Sequence, residues 1–124
     1  MRCLIVDDNH SFLEAARMLL EREGLTVAGV ASTGAEALRQ AETLRPDVVL
    51  VDISLGDESG FDLTRRLVED DPGYEAAVLL ISTHAEEDVA DLIAESPAAG
   101  FVPKSELSAS AIRRIVDGPL RSGR

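Results

Sequence analysis

The sequence predicts a doubly wound α/β domain, a five-stranded parallel sheet flanked by five helices. Three observations lead there. Short aliphatic runs alternate with longer amphipathic segments, the pattern of strands joined by crossover helices. The 124 residues suit one domain, and 45% hydrophobic with only 3% aromatic residues means a core of Val, Leu, Ile and Ala. Four apolar runs also lead into polar groups: Leu4-Ile5-Val6 into Asp7-Asp8, Val48-Val49-Leu50-Val51 into Asp52, Val78-Leu79-Leu80-Ile81 into Ser82, and Phe101-Val102 toward Lys104. Parallel strands would deliver all of these to one sheet edge, the carboxyl ends, where open α/β sheets bind ligands.

The first strand is expected over 2–7. A helix over 11–23 carries Phe12, Ala16, Leu19 and Leu20 at 3.6-residue spacing and stops at Gly24. Strand two is expected over 26–31, and Thr33 with Glu36 has capping-box spacing for a helix ending near Leu44. Beyond Pro46, the aliphatic run within 47–52 suits a central strand buried on both faces. A loop over 53–58 leads to Ser59 and Asp62, a second cap signature for a helix ending near Glu69, and 70–73 reads as a turn. Strand four is expected over 76–81, followed by a helix over 85–95 with Val89, Leu92 and Ile93 on its apolar face and an acidic outer surface. Strand five spans 100–102. Ser105 opens a last helix striped by Leu107, Ala111, Ile112 and Ile115. Residues 1–118 thus form one domain, and 119–124 a tail or the start of a linker.

With 12 basic against 23 acidic residues the net charge is −11, which opposes approach to a phosphate backbone or an anionic membrane. Neither nucleic acid nor membrane is an expected direct partner. The single cysteine, Cys3, lies inside the first apolar run and reads as a small buried thiol in a reducing compartment. Nothing resembles a signal h-region or a span of about 20 apolar residues, so a cytoplasmic location is expected.

Asp52, at the tip of the most buried strand, can act as a nucleophile toward phosphorus. An anionic nucleophile attacking an anionic phosphoryl group needs positive charge beside it. Asp7 and Asp8 can supply it by holding Mg²⁺, which prefers oxygen ligands, and the Ser54 backbone carbonyl is a third candidate ligand. Lys104 offers an ammonium to Asp52 before reaction and to a phosphoryl oxygen afterwards, and Ser82 a hydroxyl donor. Each element also has a plainer reading. Asp7-Asp8 could form a turn and helix cap, Thr83 with Glu86 could cap the fourth helix, Lys104 could be a solvated lysine, and Phe101 a core aromatic.

Together these residues resemble the receiver domain of bacterial two-component response regulators, of the chemotaxis-regulator kind, over essentially the whole chain. The stretches that carry the resemblance are Leu4-Ile5-Val6-Asp7-Asp8-Asn9, 46–52, Leu80-Ile81-Ser82-Thr83 and 99–104. Ser82 and Lys104 follow Asp52 by 30 and 52 positions (82 − 52 and 104 − 52), as the family pattern requires. The resemblance implies a flavodoxin-like sheet of strand order 2-1-3-4-5. It also implies phosphorylation of Asp52 by a histidine kinase or phosphotransfer protein, Mg²⁺ on Asp7, Asp8, Asp52 and the Ser54 carbonyl, and phosphoryl contacts from Lys104 and Ser82. Such a domain is a phosphoacceptor that catalyses only its own phosphorylation and dephosphorylation. Movement of the hydroxyl and an inward swing of an aromatic, here Phe101, would remodel the surface of the fourth helix, fifth strand and fifth helix.

Thr83, where the family usually has Ala or Gly, would slow dephosphorylation, and His84 and Ser54 occupy positions that tune the acyl-phosphate lifetime. Phe101 lacks the hydroxyl of the commoner Tyr. The stretch Gly-Phe-Val-Pro-Lys-Ser looks like receivers with a C-terminal helix-turn-helix output domain, so the expected partner is either such a domain or a separate downstream protein; a second copy of the chain is a further candidate. The alternative is a receiver-like interaction module that works without phosphorylation. A haloacid-dehalogenase type of phosphohydrolase is disfavoured because Ser54 stands where it needs a second Asp, and a flavin site because Trp is absent. His10 and His84 do not suit a Mg²⁺ site, which favours oxygen.

Overall fold

The computed structural model describes residues 1–70 and 76–117. Strands β1 (Arg2–Val6), β2 (Thr26–Ala31), β3 (Val48–Asp52), β4 (Ala77–Ser82) and β5 (Gly100–Pro103) form one parallel sheet in the order 2-1-3-4-5, as expected. Every residue of β3 is buried. The reason is that side chains of successive strand residues point to opposite faces, and both faces are covered. Cys3, Ile5, Leu50, Leu79 and Val102 pack with helices α1 (His10–Arg22) and α5 (Ala109–Val116). Leu4, Val6, Val51, Leu80 and Phe101 pack with α2 (Gly34–Leu44) and α3 (Gly60–Glu69), and α4 (Ala90–Glu95) lies on this second face. Burial pushes the Cys3 thiol up to about 11, helped by nearby Glu21.

Local signals set most helix ends. Asn9 caps α1 by accepting from Phe12 N–H at 3.1 Å, and Gly24, at φ +100°, ends that turn in the left-handed region. Thr33 accepts from Glu36 N–H at 3.1 Å, but the Glu36 carboxylate returns to Ser32 N–H at 2.7 Å, one residue earlier than a capping box prescribes. Ser59 accepts from Phe61 and Asp62 N–H groups at 3.2 and 3.4 Å and opens α3.

Four expectations need correction. The loop 53–58 contains an antiparallel ribbon, Ser54–Leu55 with Glu58–Ser59, which turns at Gly56. The helix expected over 85–95 is instead a 3₁₀ turn, Glu86–Asp88, followed by the short α4; Ala85 is extended at ψ 150° and Thr83 caps nothing there. Leu92, assigned to an apolar face, is 49% exposed. The last helix starts at Ala109, after a 3₁₀ turn over Lys104–Glu106. Its cap is Ser108, which accepts from Ala111 N–H at 2.9 Å, while Glu23 at the end of α1 accepts from Ala109 N–H at 2.7 Å. The predicted turn at 70–73 lies largely, and the tail 119–124 wholly, outside the described residues. Among the described residues, no helix is long and apolar enough to cross a membrane.

Candidate functional site

The site grows from the carboxyl ends of β1 and β3. Asp7 extends β1 by one hydrogen bond, donating its N–H to Ala31 O at 3.0 Å, and its side chain is completely buried. Its Oδ1 accepts from Asn9 N–H at 2.9 Å, so Asn9 both caps α1 and orients Asp7, and the acidic pair itself caps nothing. Asp52, 7% exposed, accepts from Ser54 N–H at 3.1 Å through Oδ1. Its backbone is fixed from behind by Gly60: a Cβ there would come within 2.0 Å of Asp52 O, so only glycine lets α3 start this close. Carboxylate oxygens of Asp7, Asp8 and Asp52 all lie within 4.8 Å of one another.

Lys104, delivered by the end of β5, closes the group. Its Nζ is 2.6 Å from Asp7 Oδ2 and 3.1 Å from Asp52 Oδ2, and it stands 4.4 Å above the Phe12 ring, a cation–π arrangement. Among the described residues the Lys104 ammonium is the one partner of the buried Asp7 Oδ2, so that oxygen keeps acceptor capacity to spare. Burial holds the Asp52 carboxyl above its ordinary value, with Asp7 adding repulsion against the lowering effects of Ser54 N–H and Lys104. Burial pulls the Lys104 ammonium down, but Asp7 and Asp52 outweigh it and hold the group above its ordinary value. Formally, three carboxylates face one ammonium. That negative excess and an all-oxygen donor set fit a hard divalent cation such as Mg²⁺.

Ser82 ends β4, one position past Ile81, the register partner of Asp52. It is 1% exposed, and its Oγ accepts from His84 N–H at 2.9 Å and lies 3.1 Å from His84 Nδ1. Thr83 and His84 are exposed beyond it, as is His10 at the start of α1. Phe101 is buried on the α2–α3 face. A groove of about 930 Å³ opens between the 83–87 segment, β5 and α5, beside the carboxylates and not over them.

Residues 3–117 match the family model of the response regulator receiver domain. The chain belongs to that family. A response regulator, GacA, of Pseudomonas aeruginosa is 32% identical over 123 residues, covering 95% of this chain and 56% of its own length. Among solved structures, a LuxR-family two-component response regulator from Aurantimonas matches with TM-score 0.82 at 31% identity, over 94% of this chain and 85% of that one. The signal receiver domain of the putative response regulator NarL from Mycobacterium tuberculosis matches with TM-score 0.80 at 28% identity, over 99% and 97% of the two chains. The chain spans about half the length of the curated relatives it matches first.

In this receiver, Asp7, Asp8, Asp52 and Lys104 come together as the sequence led one to expect. Ser54 reaches Asp52 through its N–H, and Ser82 stands at the next register position along the same edge. Two residues of the receiver site escaped sequence reasoning. Phe12, assigned to the core stripe of α1, does pack partly buried against the core beside the buried Leu13, but its ring also floors Lys104. The contact of Gly60 with Asp52 was missed; a glycine directly after the Ser59 cap, where helix formers are preferred, was the available signal.

Proposed function

We propose that this receiver takes a phosphoryl group on Asp52 from a sensor histidine kinase or a phosphotransfer protein, in a Mg²⁺-dependent reaction, and relays the change through its α4–β5–α5 surface to an output domain or a separate downstream protein. The observation that carries the reading is Lys104 Nζ within 2.6 Å of Asp7 and 3.1 Å of Asp52, beside three clustered carboxylates. A carboxylate oxygen of Asp52 attacks phosphorus; the P–O bond forms as the P–N bond to the donor histidine breaks, and the electron pair leaves with the imidazole nitrogen. Asp7, Asp8, Asp52 and the Ser54 carbonyl are the residues that would hold Mg²⁺, which supplies positive charge for the phosphoryl oxygens.

Lys104 exchanges a carboxylate partner for a phosphoryl oxygen, and the Ser82 hydroxyl donates to another. The new group brings about −1.5 to −2 charge and three acceptors, which is the drive for the change at Ser82 and Phe101. Thr83, His84 and Ser54 border the acyl phosphate and set its lifetime. In this reading residues 1–118 are the working domain, 119–124 lead toward an output element, a second copy is a candidate partner, and the domain acts in the cytoplasm without touching nucleic acid or membrane. The test is incubation with Mg²⁺ and acetyl phosphate: an acid-stable, base-labile phosphoryl adduct on Asp52 is expected, absent in Asp52→Asn. No adduct from either acetyl phosphate or a kinase would end the proposal.

A further inference from the structure

The proposed function asks the Ser82 hydroxyl to donate its proton to a phosphoryl oxygen, yet that proton already has an acceptor. Ser82 Oγ is buried, and among the described residues both of its hydrogen-bond contacts are with His84: the backbone N–H donates to it at 2.9 Å, and Nδ1 lies 3.1 Å away. The backbone contact can only run toward Oγ. A buried hydroxyl proton needs an acceptor of its own, and among the described residues the one recorded for it is Nδ1. Oγ donating to Nδ1, with the ring proton on Nε2 of the exposed imidazole, is the tautomer that gives the hydroxyl proton a partner; the converse tautomer leaves it none among the described residues.

We infer that His84 is a positioning residue that latches Ser82: its imidazole Nδ1 and a phosphoryl oxygen on Asp52 compete for the same hydroxyl proton. The inference rests on the phosphoacceptor reading and adds a regulator to it. Because one hydrogen bond must break before the other forms, the switch gains only their difference. The unphosphorylated arrangement is favoured by the bond to His84. Ser82 is moreover held by two bonds to a single residue, so release of the side chain and rearrangement of the 83–84 backbone are coupled.

The test is binding of beryllofluoride, a tetrahedral phosphoryl mimic, in Mg²⁺, followed by calorimetry. His84→Ala removes the competing acceptor and should tighten binding about 2- to 10-fold, the net worth of one neutral hydrogen bond. His84→Asn, whose side-chain oxygen takes the place of Nδ1, should stay near wild type. In a Ser82→Ala background, His84→Ala should add nothing, since no hydroxyl remains to hold; a general structural effect of residue 84 would persist there. Nitrogen NMR of the ring should find Nδ1 bare and Nε2 protonated. Equal affinity of wild type and His84→Ala, or a proton on Nδ1, overturns the latch while leaving the phosphoacceptor reading in place. Absence of binding by wild type and every variant overturns that reading and the latch with it.

Discussion

At the β1–β3 side of the sheet edge, Asp7 is fully buried, Asp52 is 7% exposed, and α3 begins in backbone contact with Asp52 through Gly60. At the β4–β5 side, the segment after Ser82 runs through an uncapped 3₁₀ turn into a six-residue helix that buries no residue, with Leu92 49% exposed. The two regions adjoin one edge of one sheet, yet one is fully packed and the other rests on the core through the partly buried Val89 and Ile93. Charges that repel each other can be kept together only where the backbone is immobile, so the carboxylates belong on the first side. The change of shape proposed for this surface calls for low local stability, which is what a helix with no fully buried residue provides.

That contrast can be tested in order of expected effect. Gly60→Val should be the most damaging, at about 4 kcal/mol in urea unfolding, because its Cβ meets backbone that cannot move aside. Leu67→Ala, in the buried face of α3, should cost about 3 kcal/mol by the same measurement. Lys104→Met should cost about 2 kcal/mol, since it leaves two carboxylates facing each other, and Mg²⁺ should recover much of the loss in thermal melts. A Lys104→Met protein as stable as wild type without metal would show that the acidic side is not held by this pair.

Asp52→Asn should act in the opposite direction. Burial, then Asp7, raises the Asp52 carboxyl above 3.8, so the stability this group contributes is present below pH 3.8 and lost as pH rises through the raised value. Asparagine escapes that loss. A gain in stability is expected at neutral pH, shrinking to nothing as the pH approaches 3.8 in paired urea titrations. The smallest effect belongs to the loose side: Leu92→Ala should change stability by less than about 0.5 kcal/mol. A loss near that of Leu67→Ala would erase the distinction between the two regions.

The sheet and the five chemical residues at its edge were legible because both depend on local pattern. Aliphatic runs mark buried strands, and a parallel sheet converts strand ends into one edge, so Asp7, Asp8, Asp52, Ser82 and Lys104 could be grouped without coordinates. What escaped depends on contacts between distant positions. Glu23 reaching Ala109, Phe12 beneath Lys104 and Gly60 against Asp52 leave no periodic trace. The fourth helix misled for a different reason. Thr83 and Glu86 have the spacing of a cap, but the chain stays extended at Ala85 while Ser82 and His84 bond each other, so the local competition was won by the site.

The sealed thiol of Cys3 has a practical side. With its proton held up to about 11 and no surface exposed, it offers almost no thiolate to an alkylating reagent at neutral pH. It is also the sole cysteine in the chain. A Leu92→Cys substitution would therefore create one selectively reactive handle, and a maleimide dye attached there would test the proposed movement of α4 by fluorescence, in real time and without first removing the native sulfur.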